Sequence, residues 1–429
     1  PALTMSGDNL LNVAGIAKEG SDTIFSWFAR YQNAKKEGKD AVNGTVGALL
    51  EDDGSLAVNK VVDAAIRESP PIEFSAYAPL AGLPDFLDLC KTLAFGDARN
   101  TLEDLGFNFS STASPGGSGA LFLAANNFLE RGQTALLRDR YWGPYKGFLQ
   151  NNGQDYVTWP LIPKNKDSSH PHFAREEFES QLEMLCSKQN KVMVWLNDPA
   201  HNPTGLSMTP NGRSVCLNSF VNSAIKNEDV GHTLLIDSAY SLYADEPHAW
   251  ADTILEEIEN GLIWPENLLI CVAVSLSKSH TIYGLRTGGL VCLHPDKEVT
   301  DRLNTVMSVT GRQTWSATPR VGQYSISKMH STPEGGDAWG VERDRLKELL
   351  DTRRKSLIEE CNNRGVSLNP TMDGFFAWIE SDDSVRIAER CAEHDVYLVP
   401  LSGGVRIGLC ALAANDMPKV AEALKIAMG

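Results

Sequence analysis

Four short stretches hold residues whose types and spacing could do chemistry. "SLSKSHTIYGLR" sets Lys278 among serines, just past the apolar run "LLICVAV", with Arg286 eight positions on. A lysine at a strand end either snorkels its ammonium to the surface or, desolvated, has a lowered pKa and can form a Schiff base with a carbonyl. In the second case Ser275, Ser277 and Arg286 could hold an anionic group beside it. "LLIDSAYSLYA" ends an apolar run at Asp237 and places Tyr240 three residues later. Taken singly, Asp237 reads as a helix N-cap rather than a catalyst. "NDPAHNPTG" offers Asn202 after another apolar run, and Asn-Pro with Gly is also ordinary loop punctuation. "SPGGSGALFLAANNFLERG" is a glycine-rich turn opening into a helix, where free N–H groups and the helix dipole favour a phosphate. It is neither a Walker loop nor G-x-G-x-x-G, and a plain tight turn would need the same glycines.

Three of these stretches lie at the C-terminal ends of predicted strands, where open α/β sheets bind ligands. "QTALLRD", "KVMVWLND", "HTLLIDS", "LLICVAVS" and "GGLVCLH" each suit a strand buried on both faces. Helix-period segments over 175–188 and 212–226 lie between them. The alternation predicts a mainly parallel sheet covered by helices. The last hundred residues differ. A long charged helix, "GVERDRLKELLDTRRKSLIEECNNRG", leads into "GFFAWIE", "VYLVP" and "VRIGL", with a closing helix from Asp416. The expectation is a smaller α+β domain to which the amphipathic "DTIFSWFARYQNAKK" near the N-terminus also contributes. Residues 1–57 and 341–429 would form it, with 58–340 as the large domain.

At 429 residues the chain is too long for one ordinary core. Its formal charge of −16 argues against a nucleic-acid partner, which rewards a basic footprint. The eight cysteines are scattered without a C-x-x-C pair, which suggests neither a metal site nor a disulfide framework. With no basic-plus-apolar leader and no apolar run reaching about 18 residues, the expectation is a cytoplasmic protein without a membrane span.

Singly each stretch is ambiguous. Together and in chain order, the glycine turn, "RYWGPYKG", N-P-T-G, D-S-A-Y, S-x-S-K and "SGGVRIGLCAL" resemble the fold-type I pyridoxal-phosphate aminotransferases, the aspartate aminotransferase group in particular. The resemblance runs from about Asp22 to the C-terminus and implies that family's α/β fold. It implies that Lys278 carries pyridoxal 5'-phosphate as a Schiff base and then shuttles a proton. Asp237 would pair with the pyridine nitrogen, which keeps the ring a good electron sink. Tyr240 and Asn202 would donate to the phenolic oxygen. Gly116, Gly117 and Ser118, with Ser275, Ser277 and Arg286, would form the phosphate cup. Trp142 would stack on the ring, although a tryptophan there could equally serve a core or an interface. Arg406, an arginine in an apolar strand, would clamp the substrate α-carboxylate, and Gly47 in "NGTVGALLEDDG" would bring backbone to the substrate.

The resemblance also implies a homodimer with shared active sites. Tyr77 in "SAYAPLAGLPDF" would reach the neighbouring subunit's phosphate. Arg312 in "GRQTWSATPRVGQ", placed by the register of Ser316, Pro319 and Gly322, would bind the distal carboxylate of the substrate across the same interface. Tyr145 and Asn197 depart from the family pattern, standing where histidines often support the pyridine-nitrogen aspartate. The implied activity is amino transfer from L-aspartate to 2-oxoglutarate by a ping-pong cycle. The alternatives are an aromatic amino acid aminotransferase, a lyase or decarboxylase on the same fold, and a cofactor-binding regulator without turnover.

Overall fold

Apolar runs without alternation become strands that are buried on both faces. The computed structural model describes residues 7–163 and 173–429. After a two-residue strand β1 (Val42–Asn43) come β2 (Asn108–Pro115), β3 (Thr134–Arg138), β4 (Asp155–Trp159), β5 (Lys191–Asn197), β6 (Gly231–Asp237), β7 (Leu268–Ser275) and β8 (Thr287–His294). The last seven form one sheet in the order β2-β8-β7-β6-β5-β3-β4. Only β8 opposes the others, lying antiparallel to both β7 and β2. The expected α/β architecture with a mainly parallel, helix-covered sheet is therefore present.

Alternation within a strand decides which core each side chain enters. Val192, Val194 and Leu196 of β5 join a cluster with Phe178 and Phe220, while Met193 and Trp195 join Ala120, Leu123 and Ala124 on the other face. The second cluster packs the helix Gly116–Phe128 onto the sheet, fixing where that helix begins. Each buried aliphatic side chain contributes about 1.5–3 kcal/mol, so the helix start is held by much of one core.

The two chain ends meet in a second assembly. β1 pairs in parallel with β10 (Val396–Tyr397), so Val42 lies beside Val396. β9 (Phe376–Glu380), β11 (Val399–Leu401) and β12 (Gly404–Gly408) form an antiparallel sheet in the order β11-β12-β9. The helices Pro333–Asn363 and Met417–Met428 cover it with Leu357, Cys361, Val420 and Leu424. The helix Thr23–Lys36 starts at Asp22, whose carboxylate accepts the Ile24 N–H at 2.8 Å. It docks Trp27 and Ala34 against Ala388 and Tyr397.

Three details differ from the sequence expectations. The helix predicted from 212 runs Pro210–Lys226, because Thr209 caps it through the Gly212 N–H at 3.0 Å and Pro210 occupies the first turn. The single strand expected at "VYLVP" is split into β10 and β11, each in a different sheet. Position 340/341 falls inside the helix Pro333–Asn363. No helix among the described residues is long and apolar enough to cross a membrane.

Candidate active site

β2, β5, β6 and β7 all point the same way, so the loops after them share one edge of the sheet. The reversed strand β8 starts at that edge and brings Arg286, the residue before it, to the same place. Between these loops lies a cavity of about 240 Å³ lined by Gly117, Ser118, Trp142, Asn202, Asp237, Tyr240, Ser275, Ser277, Lys278 and Arg286. Ten side chains or backbones expected from sequence thus meet at one place.

The glycine turn is built for close approach. Gly116 adopts φ +69° and donates its N–H to Arg286 O at 3.0 Å. A Cβ at Gly116 would overlap the Arg286 guanidinium, and one at Gly117 would stand 3.0 Å from Ser275 Cβ. Arg286 itself holds a left-handed backbone, φ +46°, which is uncommon for a bulky residue and marks a constrained position. Its Nη1 donates to Ser277 Oγ at 3.2 Å and to Tyr283 O at 2.8 Å. The guanidinium is thereby fixed over the N-terminus of the helix Gly116–Phe128, a ready anion site.

Lys278 follows β7 within a short helical turn begun by Ser275, whose hydroxyl accepts the Ser277 N–H. Lys278 Nζ lies 5.1 Å from the centre of the Tyr240 ring. Burial lowers its pKa, against the opposing pull of the Asp237 charge. Asp237 is not a helix N-cap. It accepts Tyr145 Oη at 2.5 Å on one oxygen and the Ala239 N–H at 3.1 Å on the other. Burial raises its pKa, and the Tyr145 and Ala239 bonds and the Lys278 charge only partly offset this.

The departures noted in the sequence acquire partners here. Tyr145 reaches the Asp237 carboxylate directly, while Asn197 donates to Asp237 O at 3.0 Å and accepts the Asn202 N–H at 2.8 Å. Asn202 in turn donates to Tyr240 Oη at 3.2 Å and accepts from Arg406 Nη1 at 3.4 Å. Arg406 is buried, gives Nη2 to Thr45 O at 2.6 Å and lies 4.3 Å over the Phe376 ring, and among the described residues its Nε, like those of Arg138 and Arg353, has no hydrogen-bond partner. The Arg406 guanidinium faces no carboxylate among its hydrogen-bond partners, so an anion could still be taken up beside Asn202. Gly47 sits above the Phe376 ring, where a Cβ would stand 3.6 Å from Cζ.

Five expected residues do not line the cavity: Gly116 and Arg406 stand beside lining residues, Gly47 packs on Phe376, and Tyr77 and Arg312 lie further out. Tyr77 is 82% exposed, and Arg312 is exposed with Nη1 donating to Ser316 Oγ at 2.5 Å. Neither lines the cavity of its own chain. Sequence reading also passed over Tyr283, Leu121 and Ala239, which do. Tyr283 had a signal, standing inside the quoted lysine stretch. It passed over Asp198 as well, which is fully buried and accepts Arg213 Nε at 2.8 Å, Trp250 Nε1 at 2.8 Å and the Met208 N–H at 2.7 Å. Those bonds hold the loop that carries Asn202.

The arrangement suits pyridoxal phosphate. A cradle that side chains at Gly116 and Gly117 would crowd can take its phosphate, a buried carboxylate lining the cavity can take its ring nitrogen, and the Lys278 amine lines the same cavity.

A family model for class I and II aminotransferases matches residues 39–424. The tyrosine aminotransferase of Klebsiella pneumoniae is 24% identical over 426 residues, spanning 95% of this chain and 98% of that protein. The mitochondrial aspartate aminotransferase of Schizosaccharomyces pombe is 27% identical over 342 residues, spanning 78% and 72%. Among solved structures, an aminotransferase from Anaerococcus prevotii superposes with a TM-score of 0.89 at 24% identity, covering 97% of this chain and 98% of that one. This chain belongs to the class I and II aminotransferases and is a pyridoxal-phosphate-dependent enzyme of fold-type I.

Proposed function

We propose that the enzyme moves the amino group of L-aspartate to 2-oxoglutarate in a ping-pong cycle. The observation that carries this reading is the convergence of Lys278, Asp237 and Asn202 on one cavity, with the buried Arg406 bonded to Asn202. Pyridoxal phosphate supplies a carbonyl carbon that exchanges amines and a ring that takes up the electrons left when an α-proton departs.

The chain's own residues do the rest. Gly116, Gly117, Ser118, Ser275, Ser277 and Arg286 hold the phosphate. Trp142 would cover one face of the ring, and Asp237 would hold a proton on its nitrogen. Tyr240 Oη and Asn202 Nδ2 donate to its phenolic oxygen, and their mutual contact at 3.2 Å supports a shared target. Lys278 carries the cofactor at rest. When not holding the cofactor, its Nζ could take the substrate's α-proton, and the lowered pKa favours the neutral, basic amine. Arg406 binds the α-carboxylate through its fork, with Gly47 above it.

Selection of a dicarboxylic substrate falls to Arg312. Its exposure on this chain, with that of Tyr77, suits a cytoplasmic homodimer in which each residue completes the partner's site. The large domain would carry the cofactor residues, and the two chain ends, joined by the β1–β10 pairing, would form the smaller domain beside it. A second reading, an aromatic aminotransferase, is favoured by the apolar walls at Leu121 and Trp142 and by a tyrosine aminotransferase among the relatives.

Steady-state kcat/KM for aspartate against tyrosine and phenylalanine, with 2-oxoglutarate as acceptor, separates the two. Poor turnover of aspartate alongside good turnover of the aromatic donors would sink the first reading. Lys278→Ala should abolish transamination with either donor, and ordinary activity in that variant would refute the mechanism.

A further inference from the structure

Gly47 belongs to a segment whose attachments are lopsided. From Gly44 to Leu50 it is bound mostly to the assembly made of the two chain ends. Gly44 N donates to Tyr397 O at 2.8 Å, Gly408 N to Gly44 O at 2.9 Å, and Leu50 N to Cys410 O at 2.8 Å. Arg406 Nη2 holds Thr45 O, Cys410 Sγ lies 3.2 Å from Val46 O, and Arg353 Nη2 donates to Leu50 O at 2.7 Å. One bond goes the other way, from the Leu49 N–H to Tyr283 Oη at 3.1 Å.

Tyr283 stands five residues after Lys278, and its side chain lines the cavity. Its backbone carbonyl accepts from Arg286 Nη1 at 2.8 Å, so the residue is anchored to the anion site on one side and to the segment on the other. Leu49 is fully buried among Tyr240, Tyr243, Phe375 and Phe376, and its N–H is satisfied by the phenol oxygen. Buried N–H groups are rarely left unpaired, so the phenol oxygen specifies one position of the segment relative to the cavity-lining Tyr283.

We propose that Tyr283 is a substrate-positioning residue: its hydroxyl fastens the Leu49 backbone and so holds the Gly47 segment over the bound amino acid and 2-oxo acid. It rests on the reading of that segment as the substrate's cover. Tyr283→Phe keeps the ring and the carbonyl and removes only the oxygen.

The test is made on the holoenzyme, by hydrogen–deuterium exchange across residues 44–50 and by steady-state kinetics with the donor and acceptor established as substrates. Exchange should quicken in Tyr283→Phe, and KM for both substrates should rise about tenfold, with kcat changed by less than about threefold. The absorption band of the bound cofactor should keep its position and its pH dependence, which a general loosening of the site would alter. Unchanged exchange in the variant overturns the proposal, because the bond then holds nothing. Faster exchange with unchanged KM also overturns it, while leaving the transamination reading intact so long as Lys278→Ala is inactive. A fall in kcat with an altered cofactor band would assign Tyr283 to the reacting centre instead, against the positioning role.

Discussion

Asp198 and Asp237 stand at the ends of neighbouring parallel strands, the first just past β5 and the second closing β6. Both are buried carboxylates in the same layer of the molecule. Asp198 is saturated, with Arg213, Trp250 and a backbone N–H on its oxygens, and its ion pair buries both charges. Among the described residues Asp237 has a tyrosine and one backbone N–H, no arginine, and it lines the cavity. The difference teaches that depth and strand position do not make a carboxylate chemical. What matters is the coordination left free, and here the saturated aspartate builds the loop that the unsaturated one works beside.

Substitutions can break that contrast. Asp198→Asn should cost about 3–5 kcal/mol of stability by leaving the Arg213 charge buried and unpaired, read from urea unfolding. Its residual activity per folded molecule should stay well above that of Asp237→Asn. Asp237→Asn should lower kcat/KM by about 10²- to 10³-fold with a melting temperature close to wild type. Equal losses of stability in the two variants would erase the distinction.

Finer tests follow from Tyr145. Its hydroxyl pulls the Asp237 pKa down against burial, so Tyr145→Phe should raise that pKa further. The acid limb of kcat/KM against pH should move to higher pH, with less than about a tenfold loss at neutrality. In cofactor-free protein the sign is fixed by linkage. A carboxyl whose pKa is raised on folding binds its proton more tightly when folded, so stability falls as pH rises from the ordinary Asp range through the raised value. Urea midpoints of the cofactor-free wild type should therefore drop relative to Asp237→Asn across that window, and a rising difference would contradict the burial argument. The smallest effect is expected at the exposed Arg30–Glu389 pair, where Arg30→Ala should change stability by only about 0.2–1 kcal/mol.

The strands that hold the site were legible because they are apolar throughout. β7 and β8, every residue of which is buried, read as core runs, and the loops after β5, β6 and β7 follow from them. β2 was not legible. "NFSSTASP" looks polar, yet it is buried because small side chains let neighbours come close. Ser111 Oγ donates to Leu87 O at 2.9 Å, and a Cβ on Gly289 would stand 3.0 Å from Thr112 O. Asp198 was hidden for a different reason: its partners Arg213 and Trp250 are 15 and 52 residues away, beyond any local pattern. Tyr145 was noticed only as a departure, since nothing in "RYWGPYKG" tells which carboxylate its hydroxyl will meet.

The reversed strand β8 has a consequence for how this chain can change length. Ser275 of β7 lies opposite Gly288 of β8, so the connection between them is a single arch pinned at both feet by the sheet. Lys278 stands near one foot and Arg286 near the other. An added or deleted residue in that arch cannot be absorbed by drift of a loop, because either the amine or the guanidinium must leave its place. Most surface connections of a protein tolerate such edits. This one behaves as a ruler, and the eight-residue interval from Lys278 to Arg286 is its graduation.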